Sequence, residues 1–217
     1  MYYYQIITST HHHINTSTHQ HINTSTHQHI ITSNIMNICV FCSSSNYIAD
    51  HYKQAAFHLG EIIAGSGNKL VYGGATGGLM DAVAEGAHSK NGEIVGVIAQ
   101  AIIKMNRQSS LPTELIQVET MSERKVLMKS LADFFIVLPG SFGTLDEMLD
   151  IIASGIVGEH KKPLIILNQD GFYDQFLNQI NYMRSELFIP AEEKYKPFIA
   201  QNINECMELI NMSTKNS

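Results

Sequence analysis

Two short stretches hold the residues best suited to chemistry: TMSERK, at 120–125, and LPGSFGTLDE, at 138–147. In the first, Thr120 and Glu123 stand at capping-box spacing, so a helix starts there and Arg124 and Lys125 fall in its first or second turn. Cations near a helix N-terminus oppose the macrodipole, at up to about 1 kcal/mol each. A bound anion would offset that cost; solvated surface charge is the plainer alternative. In the second stretch an apolar run, FFIVL, ends in a loop that opens directly into a helix. Backbone N–H groups at such a junction can cradle a phosphate. Gly140, Ser141, Gly143 and Thr144 are therefore candidate phosphate contacts. Glu147 has two readings. With Thr144 it repeats the T-x-x-E spacing, and a capping box worth about 1 kcal/mol would account for both residues. Alternatively it is a carboxylate held above the loop to handle a water or a developing sugar cation. Spacing alone does not choose.

A second glycine-rich turn, GGATGG, follows the run KLVY and offers Gly73, Gly74 and Gly77 to a nucleotide. Tight strand-to-helix turning is its structural alternative. Neither loop is a G-x-G-x-x-G or a G-x-x-x-x-G-K-[ST], so the dinucleotide and ATP fingerprints are missing. Cys39 and Cys42 form a C-x-x-C, but both lie in the strand-like NICVFC, where an offset of three sends side chains to opposite faces. They read as buried core thiols, and no metal site is expected.

The elements that must position these residues alternate along the chain. NICVFC, KLVYG, EIVGVIA, LIQVE, FFIVLP and PLIILN are short apolar runs without in–out alternation, the mark of parallel strands buried on both faces. Helical patterns separate them, through Tyr52, Ala56, Leu59 and Ile63, through Val126 to Leu131, through Met148, Ile151 and Ile152, and over DGFYDQFLNQINYMRSE, with a last short helix at 204–212. The expected fold is α/β, Rossmann-like and doubly wound, a mostly parallel sheet with helices on both faces. Ligands in such sheets bind beyond the carboxyl ends of the strands, where the two stretches above lie.

The 217 residues suit one domain with an appendage, and 44% hydrophobic content can bury a sizeable core. A net charge of -6 and a pI near 6.0 argue against a nucleic-acid surface. No apolar run approaches the roughly 18 residues of a membrane span, and MYYYQIITST lacks the basic start and apolar stretch of a signal peptide. A cytoplasmic protein is expected. Residues 1–35 stand apart: HINTSTHQ occurs twice in tandem in a His/Thr/Ser-rich tract. They read as a disordered tail or an upstream mis-start before Met36, with metal binding as the alternative. Residues 36–217 read as a single Rossmann-like nucleotide-binding domain.

VFCSSS, VYGGATGGLM, MSERK, LPGSFGTLDE and KPLIILNQDGFY stand in the order and spacing of the LONELY GUY (LOG) family, which the chain resembles over about 36–209. The resemblance implies a homodimeric, cofactor-free phosphoribohydrolase. Such an enzyme cleaves the N-glycosidic bond of an adenine-type ribonucleoside 5'-monophosphate, releasing free base and ribose 5-phosphate. The family pattern places its catalytic glutamate at Glu147 and its catalytic arginine at Arg124. Gly143 and Thr144 match the phosphate-binding part of the loop, and Lys125 follows the arginine. Lysine decarboxylation, a label long attached to this family, would need a pyridoxal phosphate site with a Schiff-base lysine, and no lysine nominates itself. The chain departs from the pattern at Ser43, Ala75, Asp81, Ser122 and Ser141, and it has no tryptophan. These departures make base preference open, and a catalytically impaired nucleotide-binding module is the alternative. If Ser141 must take φ > 0, it costs on the order of 1–2 kcal/mol relative to glycine; otherwise its hydroxyl is a new hydrogen-bonding group.

Overall fold

The computed structural model describes residues 4–7, 29–32 and 35–215, and the chain divides into two units at 1–35 and 36–217. In the first unit, β1 (Tyr4–Ile7) pairs antiparallel with β2 (His29–Thr32), with Tyr4 opposite Thr32. The histidine-rich repeat between them lies outside the described residues, as do the expectations attached to it.

The second unit is built on one sheet. Its strands are β3 (Asn37–Phe41), β4 (Lys69–Tyr72), β5 (Ile94–Ala99), β6 (Glu114–Val118), β7 (Phe134–Val137), β8 (Leu164–Leu167) and β9 (Phe198–Ala200). They run in the order β6-β5-β4-β3-β7-β8-β9, and every pairing is parallel. The six apolar runs all become strands. The seventh, β9, has only three residues, two of them exposed, and carries no readable pattern. All four residues of β7 and of β8 are buried. Each large apolar side chain so placed contributes about 1.5–3 kcal/mol relative to exposure.

Helices cover both faces, as a doubly wound sheet requires. On one face, α1 (Asp50–Gly65), α2 (Gly78–Ser89) and α7 (Ile203–Lys215) pack Leu59, Ile63, Leu79, Val83 and Cys206 onto Ile38, Val40, Leu70 and Ile136. On the other, α4 (Met121–Leu131) and α5 (Phe142–Ile156) pack Met128, Met148 and Ile151 onto Cys39, Phe41, Phe135 and Val137. The short α3 (Gln100–Ile103) follows β5, and α6 (Asp174–Ser185) follows β8. The run DGFYDQF is not helical from its start: a 3-10 turn at Gln169–Gly171 precedes α6, with Asp170 at φ 53°. Helix α2 has no counterpart among the sequence-derived helices. Its buried residues are mostly glycine and alanine, which mark no stripe of large side chains.

Cys39 and Cys42 are buried and unpaired, one in each core layer, as the offset of three demands. Strand order reverses at β3, since the chain moves out through β4, β5 and β6 and returns on its other side at β7. The loops after β3, β4 and β7 therefore converge at a topological switch point.

Candidate active site

Helix α4 begins as its sequence dictates. Thr120 is the N-cap, and its Oγ1 accepts the Glu123 N–H at 3.1 Å. The Glu123 carboxylate turns back to the Glu119 N–H at 3.0 Å rather than to that of Thr120. Arg124 then lies in the second turn and points inward, only 4% exposed. Its Nε donates to Val97 O on β5 at 2.9 Å, and its Nη1 donates to Glu147 Oε1 on α5 at 2.6 Å. Glu147 is 5% exposed. The capping-box reading of Thr144 and Glu147 fails. Helix α5 starts at Phe142 with Ser141 as N-cap, so Thr144 is already inside the helix and Glu147 lies in its second turn. The glutamate faces the arginine instead of the helix end.

The approach of Arg124 explains Gly73. A Cβ at that position would overlap the guanidinium, so the glycine is the slot through which the arginine reaches Glu147. Because Gly73 directly follows β4, this contact sets the pair at the carboxyl end of that strand. Burial pushes the Glu147 carboxyl above the usual carboxylate range, against the pull of the Arg124 charge and hydrogen bond. Burial is the largest influence on this carboxyl and outweighs the ion pair. Burial, with the Glu147 charge behind it, pushes both thiols up as well. They stay protonated, and the C-x-x-C is inert.

Beside this pair, the entrance of α5 is open. The first bond into the helix is from Leu145 N–H to Ser141 O, at 2.9 Å. The preceding amides of Phe142, Gly143 and Thr144 meet no acceptor among the described residues. Gly140 makes room for the Thr144 side chain, which a Cβ would overlap. Ser141 sits at φ -105° and ψ -154°, extended backbone, so serine pays no left-handed penalty there and its side chain is exposed. The loop is held from below by Tyr173, 2% exposed, whose hydroxyl donates to Leu138 O at 2.8 Å. Tyr173 closes the stretch KPLIILNQDGFY, but nothing in the sequence assigned it a role.

The 73–78 turn is different. Gly77, at φ 106°, donates its N–H to Asp81 Oδ2 at 2.7 Å, and Gly78 donates to Asn46 Oδ1 at 3.0 Å. Ser109 N–H donates to Gly74 O at 3.0 Å, and Arg107 Nη2 donates to Ser44 O and Thr76 O at 2.9 and 2.7 Å. Asn46, Asp81 and Arg107 shape this turn, and sequence reading did not single out Asn46 or Arg107. An acid in the first turn of a helix is a legible signal, but only once α2 is known to begin at Gly78. Lys125 is brought near the pair but not into it: its ammonium holds Asp146 Oδ1 at 2.9 Å on the protein surface.

The fold and this site define a class: a Rossmann-like α/β protein with a buried arginine–glutamate pair beside an open helix entrance at the switch point. A family model described as possible lysine decarboxylase matches residues 80–210. A cytokinin riboside 5'-monophosphate phosphoribohydrolase LOG of Oryza sativa subsp. japonica is 40% identical over 157 residues, covering 72% of this chain and 65% of its own length. Cytokinin riboside 5'-monophosphate phosphoribohydrolase LOG5 of Arabidopsis thaliana is 35% identical over 171 residues, covering 79% of this chain and 75% of its own length. The chain belongs to this LOG-type family. Solved structures share the fold at lower identity. The molybdenum cofactor binding protein from Rippkaea orientalis matches with a TM-score of 0.64 at 22% identity, over 84% of this chain and 99% of its own. The Moco carrier protein from Chlamydomonas reinhardtii matches with a TM-score of 0.64 at 18% identity, over 85% and 100%.

Proposed function

We propose that this chain is an N-glycosyl hydrolase acting on adenine-type ribonucleoside 5'-monophosphates, N6-substituted ones included, and releasing free base and ribose 5-phosphate. The observation that carries the reading is the buried Arg124–Glu147 pair, 2.6 Å apart, next to three amides of α5 without acceptors among the described residues. The relatives' names supply the substrate class. Phosphate sits on the amides of Phe142, Gly143 and Thr144 at the positive end of α5. The Ser141 hydroxyl and the Gly140 backbone line that seat, and Gly73, Gly74 and Gly77 wall the nucleotide. Glu147 has a second carboxylate oxygen, Oε2, without a partner among the described residues, and this oxygen orients the ribose or the attacking water. As the C1'–N bond breaks, its electron pair leaves with the base nitrogen, the ribose acquires oxocarbenium character, water adds its oxygen to C1', and the proton that the water gives up passes to the departing base. A carboxylate held by Arg124 stabilises that cation without reorganising. Lys125 adds positive charge at the rim.

A decarboxylase reading lacks a residue to carry it. Lys125, the lysine nearest the pair in sequence, is committed to Asp146, and no described lysine whose surroundings are defined is buried. Chromatography of released base after incubation with AMP and its N6-substituted analogues tests the hydrolase. Nucleotide binding with no base released would instead establish a non-catalytic binding module.

Two further expectations belong to the same reading. A second copy of the chain covers the exposed apolar side chains Met121 and Val126 on α4 and Leu149 and Ile156 on α5. Sedimentation at micromolar concentration would then give twice the 24.2 kDa chain mass. The working compartment is the cytoplasm, in keeping with three buried, unpaired cysteines. No helix among the described residues is long and apolar enough to cross a membrane.

A further inference from the structure

The stretch KPLIILNQDGFY supplies no residue to the chemistry above, yet its last residue lies beneath the loop that opens α5. That loop, 138–141, is held at few points. Leu138 N–H donates to Phe41 O at 2.9 Å, and Ser43 N–H donates to Pro139 O at 3.3 Å. Pro139 has no N–H to give. Ser141, the N-cap of α5, makes no side-chain capping bond. Among the described residues, the one side chain that hydrogen-bonds to the loop's backbone is Tyr173, through its hydroxyl to Leu138 O at 2.8 Å.

The chain around Tyr173 is tied down on both sides. Asn168, buried just after β8, accepts the Tyr173 N–H through Oδ1 at 2.7 Å and donates through Nδ2 to Asp174 Oδ1 at 2.8 Å. Its own N–H donates to Ala200 O on β9 at 2.7 Å. Between Asn168 and Tyr173 the chain turns through Asp170 at φ 53° and Gly171 at φ 72°, left-handed positions that aspartate tolerates and glycine takes freely. The Tyr173 ring meets Phe172 and Phe176 edge-on, with centroids 4.9 and 6.3 Å away, and packs in the core layer of Phe41 and Val137. Burial pushes its hydroxyl well above the usual tyrosine range, against the pull of the Gly140 backbone on the same oxygen. The hydroxyl therefore keeps the proton that it donates. A rigid arm from β8 thus ends on the carbonyl of Leu138.

We propose that Tyr173 is a positioning residue for the substrate's phosphate. It fixes the 138–141 loop, and with it the direction of the Phe142, Gly143 and Thr144 amides that follow. The proposal rests on the hydrolase reading above and gives the stretch KPLIILNQDGFY a task in substrate affinity rather than in bond breaking. Tyr173 makes no hydrogen bond to Arg124 or Glu147, so it acts through the loop alone. The phosphate is held alike before and during cleavage of the distant glycosidic bond. Weakening such uniform binding raises KM and leaves kcat in place.

The test uses the full chain, with AMP in steady-state kinetics and inorganic phosphate in titration calorimetry. Tyr173→Phe keeps the ring and removes one hydroxyl. Its KM for AMP and its Kd for phosphate should rise together, by about three- to tenfold for one neutral hydrogen bond, with kcat within about twofold of the parent's. Tyr195→Phe is the control, because its hydroxyl makes the same kind of bond, to Lys162 O at 2.7 Å, away from the loop. The control should lose melting temperature and keep the parent's KM and Kd. If Tyr173→Phe behaves like the control, or loses kcat with KM unmoved, the proposal is overturned. Should Tyr173→Phe not fold, Asn168→Ser, which frees the Tyr173 N–H, is judged by the same rise in both constants. A parent chain that binds phosphate but releases no base from any nucleoside monophosphate sinks the hydrolase reading, and the variant's phosphate Kd still decides the role of Tyr173. A parent chain that binds no phosphate overturns the proposal as well.

Discussion

Two ion pairs join the same two helices one residue apart, and they have opposite fates. Arg124–Glu147 spans α4 and α5 with side chains 5% and 6% exposed; Lys125–Asp146 spans them with 22% and 60%. Sequence alone gives each pair a cation beside a cation and an acid beside an acid. The difference is rotation: one step along a helix turns a side chain by about 100°, from the sheet to the solvent. The inward pair bears a desolvation cost that only tight geometry and further hydrogen bonds offset. The outward pair costs little and contributes little. A buried charge pair that does not obviously help folding, beside open helix amides, is where chemistry is to be sought.

Substitutions can break this contrast, and the largest effect belongs to the inward pair. Glu147→Gln keeps an acceptor for Arg124 but removes the charge, so kcat for base release should fall about 10²–10⁴-fold. Circular dichroism and nucleotide affinity should stay close to the parent's. A variant that unfolds while the parent shows no turnover would return Glu147 to a purely structural role. Arg124→Ala leaves the glutamate buried without its cation and should lower unfolding free energy by about 3–5 kcal/mol, read from urea midpoints. Gly73→Ala blocks the slot of the guanidinium. Displacement on the scale of an ångström should cost about 10²-fold in kcat/KM, and an unchanged rate would show that Arg124 does not need its present position.

The pH dependence sharpens the comparison further. The folded-state carboxyl of Glu147 lies above its unfolded value, so the folded state binds that proton more tightly. Its contribution to stability is full below the unfolded value and lost as pH rises through the folded one. The melting temperature of Glu147→Gln relative to the parent should therefore climb with pH across that interval. A flat difference would show that Arg124 cancels the effect of burial. At the small end, Lys125→Ala should cost at most about 1 kcal/mol, less in high salt, with KM altered by less than about tenfold.

Much of this was legible because the strands are apolar on both faces and the motifs sit at their carboxyl ends. Thr120 and Glu123 announced α4, and with it the turn that carries Arg124. The same spacing at Thr144 and Glu147 left two readings open, and it makes no capping box because α5 begins earlier, at Phe142, while tertiary packing turns Glu147 towards Arg124. Asn46, Arg107 and Tyr173 act through long-range contacts to Gly78, Thr76 and Leu138 that no local pattern records. Asp81 stood in plain view as a departure, but its work depends on a helix too rich in glycine and alanine to be recognised.

The fork of Arg124 carries one more consequence. One planar group grips a strand carbonyl with Nε and a carboxylate with Nη1. A lysine at 124 would bring the same charge on a single nitrogen, without the rigid fork that reaches two fixed acceptors in different directions. It would have to choose between bracing β5 and restraining Glu147. For anyone redesigning this pocket, position 124 is a joint rather than a charge, and conserving its sign would not conserve its job.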